Sequence, residues 1–212
     1  SGDQIAAVHV QGGQNQIALL DGDGELQQLL KALPAGDTIG QIAWSPDDRQ
    51  LVAAIRRKTA RWNLELLDLA SGNWRPLTAN TDLEQLPRFS ADGKAVYFIS
   101  DQNHLWNVRR LDIASGRVET VTHTQTAIVD YALDETTAQI RVAEYTADGV
   151  MLGQQKLLPQ KTVYAAVTAQ PAALPTIVNQ SDFNPDQYAD STDYSALGTL
   201  APHGWFALLY AD

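Results

Sequence analysis

The feature that most constrains this fold is a stretch that the sequence contains twice. Residues 44–54 read WSPDDRQLVAA, and residues 89–99 read FSADGKAVYFI. Each copy has an aromatic residue, a serine, a polar turn with an aspartate and then an apolar run, and the two serines, Ser45 and Ser90, stand 45 residues apart. A turn rich in Ser, Pro, Asp and Gly before a short apolar run is typical of a β-hairpin. The chain is therefore built from a repeated β-unit.

A second pair of matching segments has nearly the same period. The sequence LDLASG at 67–72 returns as LDIASG at 111–116, which is 44 residues later. A weaker copy, Tyr131–Asp134, falls where Phe89–Asp92 is expected. We take the following residues as the structural anchors of the repeat: Trp44, Ser45, Asp47, Asp68, Phe89, Ser90, Asp92 and Asp112.

A repeat of this length with four short strands is typical of β-propeller blades. We therefore predict an all-β fold, a β-propeller of about four blades in residues 1–168, each blade being a four-stranded antiparallel sheet. One blade cannot bury both of its faces, so blades must stack on their neighbours. We accordingly expect Trp44, Phe89 and Tyr131 to pack between blades and not to contact a ligand.

The two ends of the sequence depart from this repeat. Residues 4–7 align with residues 50–53, which leaves the first blade without its innermost strand. We expect an incomplete ring: the sequence is a piece of a longer protein, or the tail or a second chain supplies the missing strand. Residues 162–168 fit an outer strand. Residues 169–212, rich in Pro, Asp, Asn, Gln and Ser, are predicted to form a linker or extended arm, with one apolar strand at 205–210.

Composition excludes several classes of site and partner. The chain has no cysteine, which rules out disulfides and thiolate metal sites. It carries 25 acidic and 15 basic residues, a formal net charge of −10, which disfavours nucleic acid and anionic membrane surfaces as partners. No apolar run is long enough for a transmembrane helix, so we predict no membrane insertion by this segment. With nucleic acid and membrane surfaces disfavoured, we predict a protein or peptide as the partner.

The two repeated segments resemble the blades of TolB-type, WD-like propellers. The resemblance covers residues 1–157 and rests on the aromatic-Ser-x-Asp turn, the apolar strand after it and the later Leu-Asp-Leu/Ile-Ala-Ser-Gly turn. Asp48 replaces the usual Gly in the second blade, Ala91 replaces Pro in the third, and the fourth blade is degenerate. Propellers of this type occur in binding proteins and in non-catalytic domains of peptidases, so the resemblance implies a fold and leaves both functions open.

The tail carries a second resemblance. Asp193-Tyr194-Ser195 and the segment 199–205, TLAPHGW, are similar to the junction that joins a propeller to an outer-membrane β-barrel of the surface-antigen type. This resemblance implies the soluble propeller segment of a bacterial envelope protein, located in the periplasm or envelope.

Few residues form patterns that carry chemistry. Asp21, Asp23 and Glu25 lie close enough in sequence to ligate calcium, although a hairpin turn explains the same residues fully. The four histidines have no metal-binding spacing, and neither a Gly-x-Ser-x-Gly elbow nor a nucleotide-binding glycine loop occurs. We therefore predict no cofactor and no catalytic constellation. The basic cluster Arg56, Arg57, Lys58 and Arg61 is interpreted as a solvated hairpin.

The sequence favours a binding function over an enzymatic one. Loops on a rigid scaffold commonly carry function, and the loops that enter or leave innermost strands are the candidates here: 37–41, 81–85 and 124–127. Our leading hypothesis is a non-catalytic propeller segment that binds protein or peptide in the bacterial envelope. The alternative is the accessory propeller of a larger peptidase whose catalytic residues lie outside this chain. Carbohydrate binding is a third hypothesis, because the five Trp and seven Tyr suit sugar stacking as well as inter-blade packing.

Overall fold

A computed structural model describes residues 3–58 and 60–157 and the backbone of residues 163–164. Its strands form four antiparallel sheets, and the described ranges contain no α-helix, only a short 3-10 turn at Gln102–His104. The all-β blade architecture predicted from the repeat is thus confirmed. The predicted arm at 169–212, with its apolar segment at 205–210, lies outside the described residues.

Each sheet is a meander of consecutive strands, and the third sheet also takes in β15 beside β11. The first sheet comprises β1 (Gln4–Gln11), β2 (Gln14–Asp21) and β3 (Leu26–Leu29), and the second comprises β4 (Thr38–Trp44), β5 (Gln50–Arg56), β6 (Trp62–Asp68) and β7 (Asn73–Pro76). The third comprises β8 (Glu84–Phe89), β9 (Ala95–Ser100), β10 (Asn107–Asp112), β11 (Val118–Thr120) and β15 (Val163–Tyr164), and the fourth comprises β12 (Ala127–Asp134), β13 (Gln139–Thr146) and β14 (Gly149–Lys156).

The register shows which strands correspond between sheets. Gln50 of β5 lies opposite Asp68, and Gln4 of β1 lies opposite Asp21 in the same way. Strand β1 is therefore the equivalent of β5, the second strand of its blade, and among the described strands the first sheet has no innermost strand, as the sequence predicted. Of the outer strand predicted at 162–168, the described residues Val163–Tyr164 form β15, which pairs with β11 and so makes a fifth strand in the third sheet.

The core consists of three layers, each between successive sheets. In β5 the side chains of Leu51, Ala53 and Ile55 pack towards the first sheet, and those of Val52 and Ala54 pack towards the third. This alternation follows from the period of two along a strand. It explains why the second strand of each central blade reads as an unbroken apolar run, since both of its faces are buried.

The aromatic anchors lie in these layers. Trp44 packs against the first layer, Phe89 against the second and Tyr131 within the third. The proposed alignment of Tyr131 with Phe89 is wrong by two residues, because Leu133 lies opposite Ile140 just as Phe89 lies opposite Val96. The fourth blade therefore has Leu133 at the aromatic position, and its turn begins with Asp134 where the other blades have serine.

The Ser-x-Asp turns are held by the same hydrogen bonds in both copies. The hydroxyl of Ser45 donates to Asp47 Oδ1 at 2.6 Å and accepts the N–H of Gln50 at 2.9 Å. Ser90 makes the equivalent bonds to Asp92 and Ala95 at 2.6 and 2.9 Å. These serine hydrogen bonds lower the pKa of both aspartates, since they stabilise the ionised carboxylate.

The second repeated turn is also built alike in two blades. Asp68 Oδ1 accepts the N–H and the hydroxyl of Ser71 at 2.8 and 2.7 Å, and Asp112 accepts those of Ser115 at 2.9 and 2.7 Å. In both turns the carboxylate closes the loop after the third strand of the blade, which explains why the Leu-Asp-x-Ala-Ser-Gly segment recurs. These anchors thus support the scaffold.

Candidate binding site between the third and fourth sheets

An apolar pocket of about 300 Å³ opens between the third and fourth sheets, where their innermost strands β8 and β12 begin. The buried side chains of Ile99 and Ile128 lie at its base, and Leu86 and Trp106 are half-buried beside them. The exposed Tyr145, with 55% of its surface accessible, lies at the opening. An apolar concavity with an exposed aromatic residue suits an apolar side chain or a small apolar ligand.

Irregular backbone in β8 and β12 shapes this pocket. The register of β8 against β9 shifts between Gln85 and Arg88, and that of β12 against β13 shifts between Ile128 and Asp130. Leu86 takes a left-handed conformation with φ of 52°, which is strained for a residue with a branched side chain. Bulges of this kind redirect side chains and interrupt pairing, so both strands leave space between the sheets at this point.

A hydrogen bond fixes the bulged segment of β8 to the fourth sheet. The hydroxyl of the buried Tyr131 donates to the carbonyl oxygen of Leu86 at 2.8 Å. Burial raises the pKa of Tyr131 well above its ordinary value, which keeps the hydroxyl protonated. The guanidinium of Arg88 lies 5.2 Å from the centroid of the Tyr131 ring and bonds Asp130 at 3.2 Å. The pocket is thus held open by contacts that cross the interface.

Comparison with the second sheet explains why side chains do not fill the interface between the third and fourth sheets at the pocket. Trp62 at the start of β6 and Trp106 just before β10 hold equivalent positions in their sheets. The ring of Trp62 lies so close to Gly40 that a Cβ added to this glycine would be 2.9 Å from it. The register places Gln85 at the position of Gly40. Because Gln85 has a side chain there, Trp106 cannot pack on its own sheet in that way, and it lines the pocket instead.

Two of the three loops predicted as candidates meet at this pocket. The loop 81–85 ends with Gln85 and the loop 124–127 ends with Ala127, and both residues line the cavity. The third loop, 37–41, enters the second sheet and does not line it. There Asp37 accepts hydrogen bonds from Arg57 and from the N–H of Lys58, both at 2.8 Å.

A buried carboxyl group in β8, one residue before the pocket-lining Gln85, was missed by the sequence analysis. Glu84, only 2% exposed, accepts a hydrogen bond from Asn80 at 2.9 Å and bonds the hydroxyl of Thr78. Burial raises its pKa to about 7. The register places Ile39 and Ile128 at the equivalent positions of the neighbouring sheets. A glutamate at a repeat position that is otherwise isoleucine was the signal available in the sequence.

The calcium candidate is a hairpin turn in the structure. Asp21 Oδ1 accepts the N–H groups of Asp23 and Glu25 at 3.1 and 2.9 Å, and its other oxygen accepts from Gln27 at 2.7 Å. These bonds occupy the carboxylate that would be the first ligand. Within residues 3–58 and 60–157 no three His, Asp or Glu side chains converge as a metal site, and no helix there is long and apolar enough to cross a membrane.

Comparison with solved structures identifies the fold. The chain is similar to a structure assigned as TolB of Agrobacterium tumefaciens, with 22% identity and a TM-score of 0.60 over 73% of this chain and 58% of that one. It is also similar to TolB from Acinetobacter baumannii, with 21% identity and a TM-score of 0.62 over 79% of this chain and 43% of that one. The chain thus spans about half the length of these TolB structures.

A third similar structure is an enzyme. A puromycin hydrolase matches with 14% identity and a TM-score of 0.58, over 83% of this chain and 28% of the hydrolase. No family model matches the sequence, and no curated protein matches it. At these identities the likeness concerns the fold alone. The chain is an all-β segment with a TolB-like β-propeller fold.

Proposed function

We propose that this chain is a non-catalytic propeller segment that binds protein or peptide partners in the bacterial envelope, and that the pocket between the third and fourth sheets holds an apolar side chain of the partner. The observation that carries this proposal is the apolar cavity at which two loops that precede innermost strands end. Loops mounted on a rigid sheet scaffold are the usual place for recognition.

The size and lining of the pocket support a single side-chain anchor. Its volume of about 300 Å³ is at the lower end of the range for ligand pockets, which suits one aromatic or branched aliphatic group. Burying such a side chain contributes about 1.5–3 kcal/mol, enough for an anchor within a larger contact. The net charge of −10 favours basic residues beside that anchor in the partner.

The envelope location is supported by resemblance. The fold is that of TolB structures, and the tail resembles the segment that precedes a surface-antigen-type barrel. Fractionation of bacteria that express the natural full-length protein tests the location. Recovery with the periplasmic or outer-membrane fraction is expected, and recovery with the cytoplasmic fraction would contradict it.

Peptide display against the purified chain, followed by titration of a selected peptide, tests the binding function. Tyr145→Ala and Val129→Ser remove exposed apolar groups at the pocket, and Leu26→Ser removes an exposed apolar group from the first sheet as the matched control. We expect the two pocket variants to weaken binding about tenfold and the control to bind unchanged. Equal affinity of all four proteins would refute the pocket as the binding site.

The second candidate function is that of an accessory propeller in a larger peptidase. The match to the puromycin hydrolase favours this function, since it covers 83% of this chain but only 28% of the enzyme. The catalytic residues would then lie outside this chain, and the propeller would position or select substrates. The sequence flanking this chain in the full-length gene distinguishes the two: a peptidase domain favours this function, and a barrel favours the first. A glycan array tests the carbohydrate hypothesis separately.

A further inference from the structure

One buried side chain ties down the connector that joins the second sheet to the third. The connector comprises residues 77–83, between β7 and β8. Glu84, the first residue of β8 and 2% exposed, bonds the hydroxyl of Thr78 and accepts a hydrogen bond from the side chain of Asn80 at 2.9 Å. It also bonds the backbone of Leu64 in β6. The carboxyl group, which belongs to the third sheet, thus holds the connector against the second.

Further hydrogen bonds continue from this carboxyl group along the connector. The N–H of Asn80 donates to Asn63 Oδ1 at 2.9 Å, and Asn80 Oδ1 accepts the N–H of Asp82 at 2.9 Å. The N–H of Leu83 donates to Asp101 Oδ1 at 2.6 Å, and the N–H of Asp101 donates to the carbonyl of Leu83 at 3.2 Å. A change at the carboxyl group therefore reaches the connector through Asn80, in the middle of the segment.

The next connector, between β11 and β12, is built alike but has no carboxyl group at this place. The N–H of Thr124 donates to Asn107 Oδ1 at 2.9 Å, which matches the bond made by the N–H of Asn80. The register places Ile128 at the position of Glu84. The blade architecture therefore does not require a carboxyl group here, because isoleucine fills the same position in the neighbouring sheet.

The surroundings of Glu84 oppose its charged form. Burial is the main cause that raises the pKa of Glu84, to about 7, and the charge of Asp82 on the connector acts in the same direction. Asp82 lies in turn near three charged groups: Asp101, Arg109 and Arg61. Strand β4, which packs on β8, has no ionisable side chain. The ionisable side chains of the other strands that pack on β8 make contacts elsewhere: Arg56, Glu65, Asp68 and Tyr97. In the closed connector, therefore, Glu84 loses its proton only as the pH rises through about 7.

We propose that Glu84 is a proton-operated latch on the connector: its protonated carboxyl group holds residues 77–83 in place, and loss of the proton lets them open so that the carboxylate gains water. A buried carboxylate without water is costly. The strands around Glu84 belong to the packed core, whereas the connector has the exposed Thr81 near its centre. Opening of the connector is therefore the smallest movement that hydrates the carboxylate.

The latch also regulates the pocket, and this part of the inference rests on the proposed function. Gln85, the residue after Glu84, lines the pocket, and the loop that begins with Asp101 leads to Trp106 in the same lining. Because Leu83 bonds Asp101, an open connector releases both parts of the lining. A peptide in the pocket should therefore bind more weakly as the pH rises through about 7.

Hydrogen exchange of the full chain at pH 5 and pH 8, corrected for the intrinsic exchange rate of each amide, tests the latch. With a pKa of about 7 in the closed connector and the ordinary 4.5 in the open one, the protection factor of the Asn80 amide should fall by about 70-fold. The protection factor of Thr124, in the next connector, should change little. Equal changes at the two amides would mean that the connector opens only when the whole chain unfolds, and this would overturn the proposal. An unchanged protection factor at Asn80 would overturn it too, because the proton would then not control the connector.

Two variants separate the charge of Glu84 from its hydrogen bonds. Glu84→Gln keeps the bonds to Thr78 and Asn80 without titrating, so the Asn80 amide should stay protected at both pH values. Glu84→Ile introduces the residue of the neighbouring sheets and removes these bonds, so protection of Asn80 should be low at both pH values. A pH dependence in Glu84→Gln equal to that of the wild type would assign the effect to another group and refute the latch.

Titration of the peptide selected by display, at pH 6 and pH 8, tests the regulation of the pocket. The affinity of the wild type should fall severalfold towards pH 8, and that of Glu84→Gln should not. Equal affinity of the wild type at both pH values, together with the change at Asn80, would confine the latch to the connector and refute the regulation. Absence of binding at either pH would contradict the proposed function instead, while hydrogen exchange still decides on the latch.

Discussion

The buried carboxyl group of Glu84 makes the stability of this protein depend on pH in a way that can be measured directly. Glu84 sits where the neighbouring sheets have isoleucine, and its polar partners include the side chains of Thr78 and Asn80 and the backbone of Leu64. Burial opposes the ionised form more strongly than these hydrogen bonds favour it. The folded chain therefore holds a proton on this group at pH values where the unfolded chain has released it.

The size and sign of the effect follow from this difference. The pKa of Glu84 rises from the ordinary value of 4.5 to about 7 on folding, and each pH unit of difference is equivalent to about 1.4 kcal/mol. Below pH 4.5 the carboxyl group of Glu84 is neutral in the folded and the unfolded chain. Its contribution to the free energy of unfolding is therefore fully present there. Between pH 4.5 and about 7 the unfolded state binds fewer protons, so the free energy of unfolding falls by about 3 kcal/mol in total.

Urea denaturation at half-unit steps from pH 4.5 to 8 measures this change, with Glu84→Gln as the comparison. Glutamine has the same shape and can bond both Thr78 and Asn80, but it does not titrate. The difference in unfolding free energy between wild type and Glu84→Gln should change by about 3 kcal/mol across the window, in favour of the variant at high pH. The aspartates with lowered pKa values act below this window, since their ordinary value is 3.8.

If the difference in unfolding free energy between wild type and Glu84→Gln stays constant from pH 4.5 to 8, the reasoning is refuted. Such a result would mean that Glu84 is solvated or fully compensated in the folded state. A difference that changes in the opposite direction would mean that the ionised carboxylate is stabilised, as it would be by a cation close to Glu84.

Three further predictions concern packing and hydrogen bonds. Ser90→Ala should destabilise the protein by about 1–3 kcal/mol, and more than Ser45→Ala, because the amide that the Ser90 hydroxyl satisfies is fully buried; thermal unfolding of both variants checks the order. Gly40→Ala should cost about 1–3 kcal/mol, because the new methyl group would meet the ring of Trp62 at 2.9 Å, and an unchanged melting temperature would contradict this contact. Tyr131→Phe should lose about 1 kcal/mol and accelerate hydrogen exchange in the third and fourth sheets, since it removes a bond between them.

The repeat made the blades predictable because the residues that define it act locally. Ser45 and Ser90 close their turns within five residues, and Asp68 and Asp112 do the same within three. Local hydrogen bonds of this kind require particular residue types at fixed spacing, so they leave a mark in the sequence. The fourth blade lacks the serine and begins its turn with Asp134, which explains why its alignment was displaced by two residues.

The pocket left no comparable mark because it depends on differences between blades. A motif search looks for what is shared, whereas the cavity follows from Gln85 replacing Gly40, since the register shift of β8 also occurs in β4. The loops that end at it were predictable from topology, but the choice among three loops required the packing of Trp106. The same reasoning applies to Glu84, which became noticeable only when the register aligned it with Ile39 and Ile128.

The pocket lies at one interface of a stack in which each sheet contacts only its neighbours, and this arrangement predicts how far the effect of a bound ligand extends. Stability in such a stack is approximately a sum of terms for single units and for adjacent pairs. A ligand in the pocket would strengthen the interface of the third and fourth sheets, so we expect slower hydrogen exchange in those two sheets and unchanged exchange in the first sheet. Slower exchange in the first sheet would require the second sheet to change its packing, and its central strand β5 is buried on both faces.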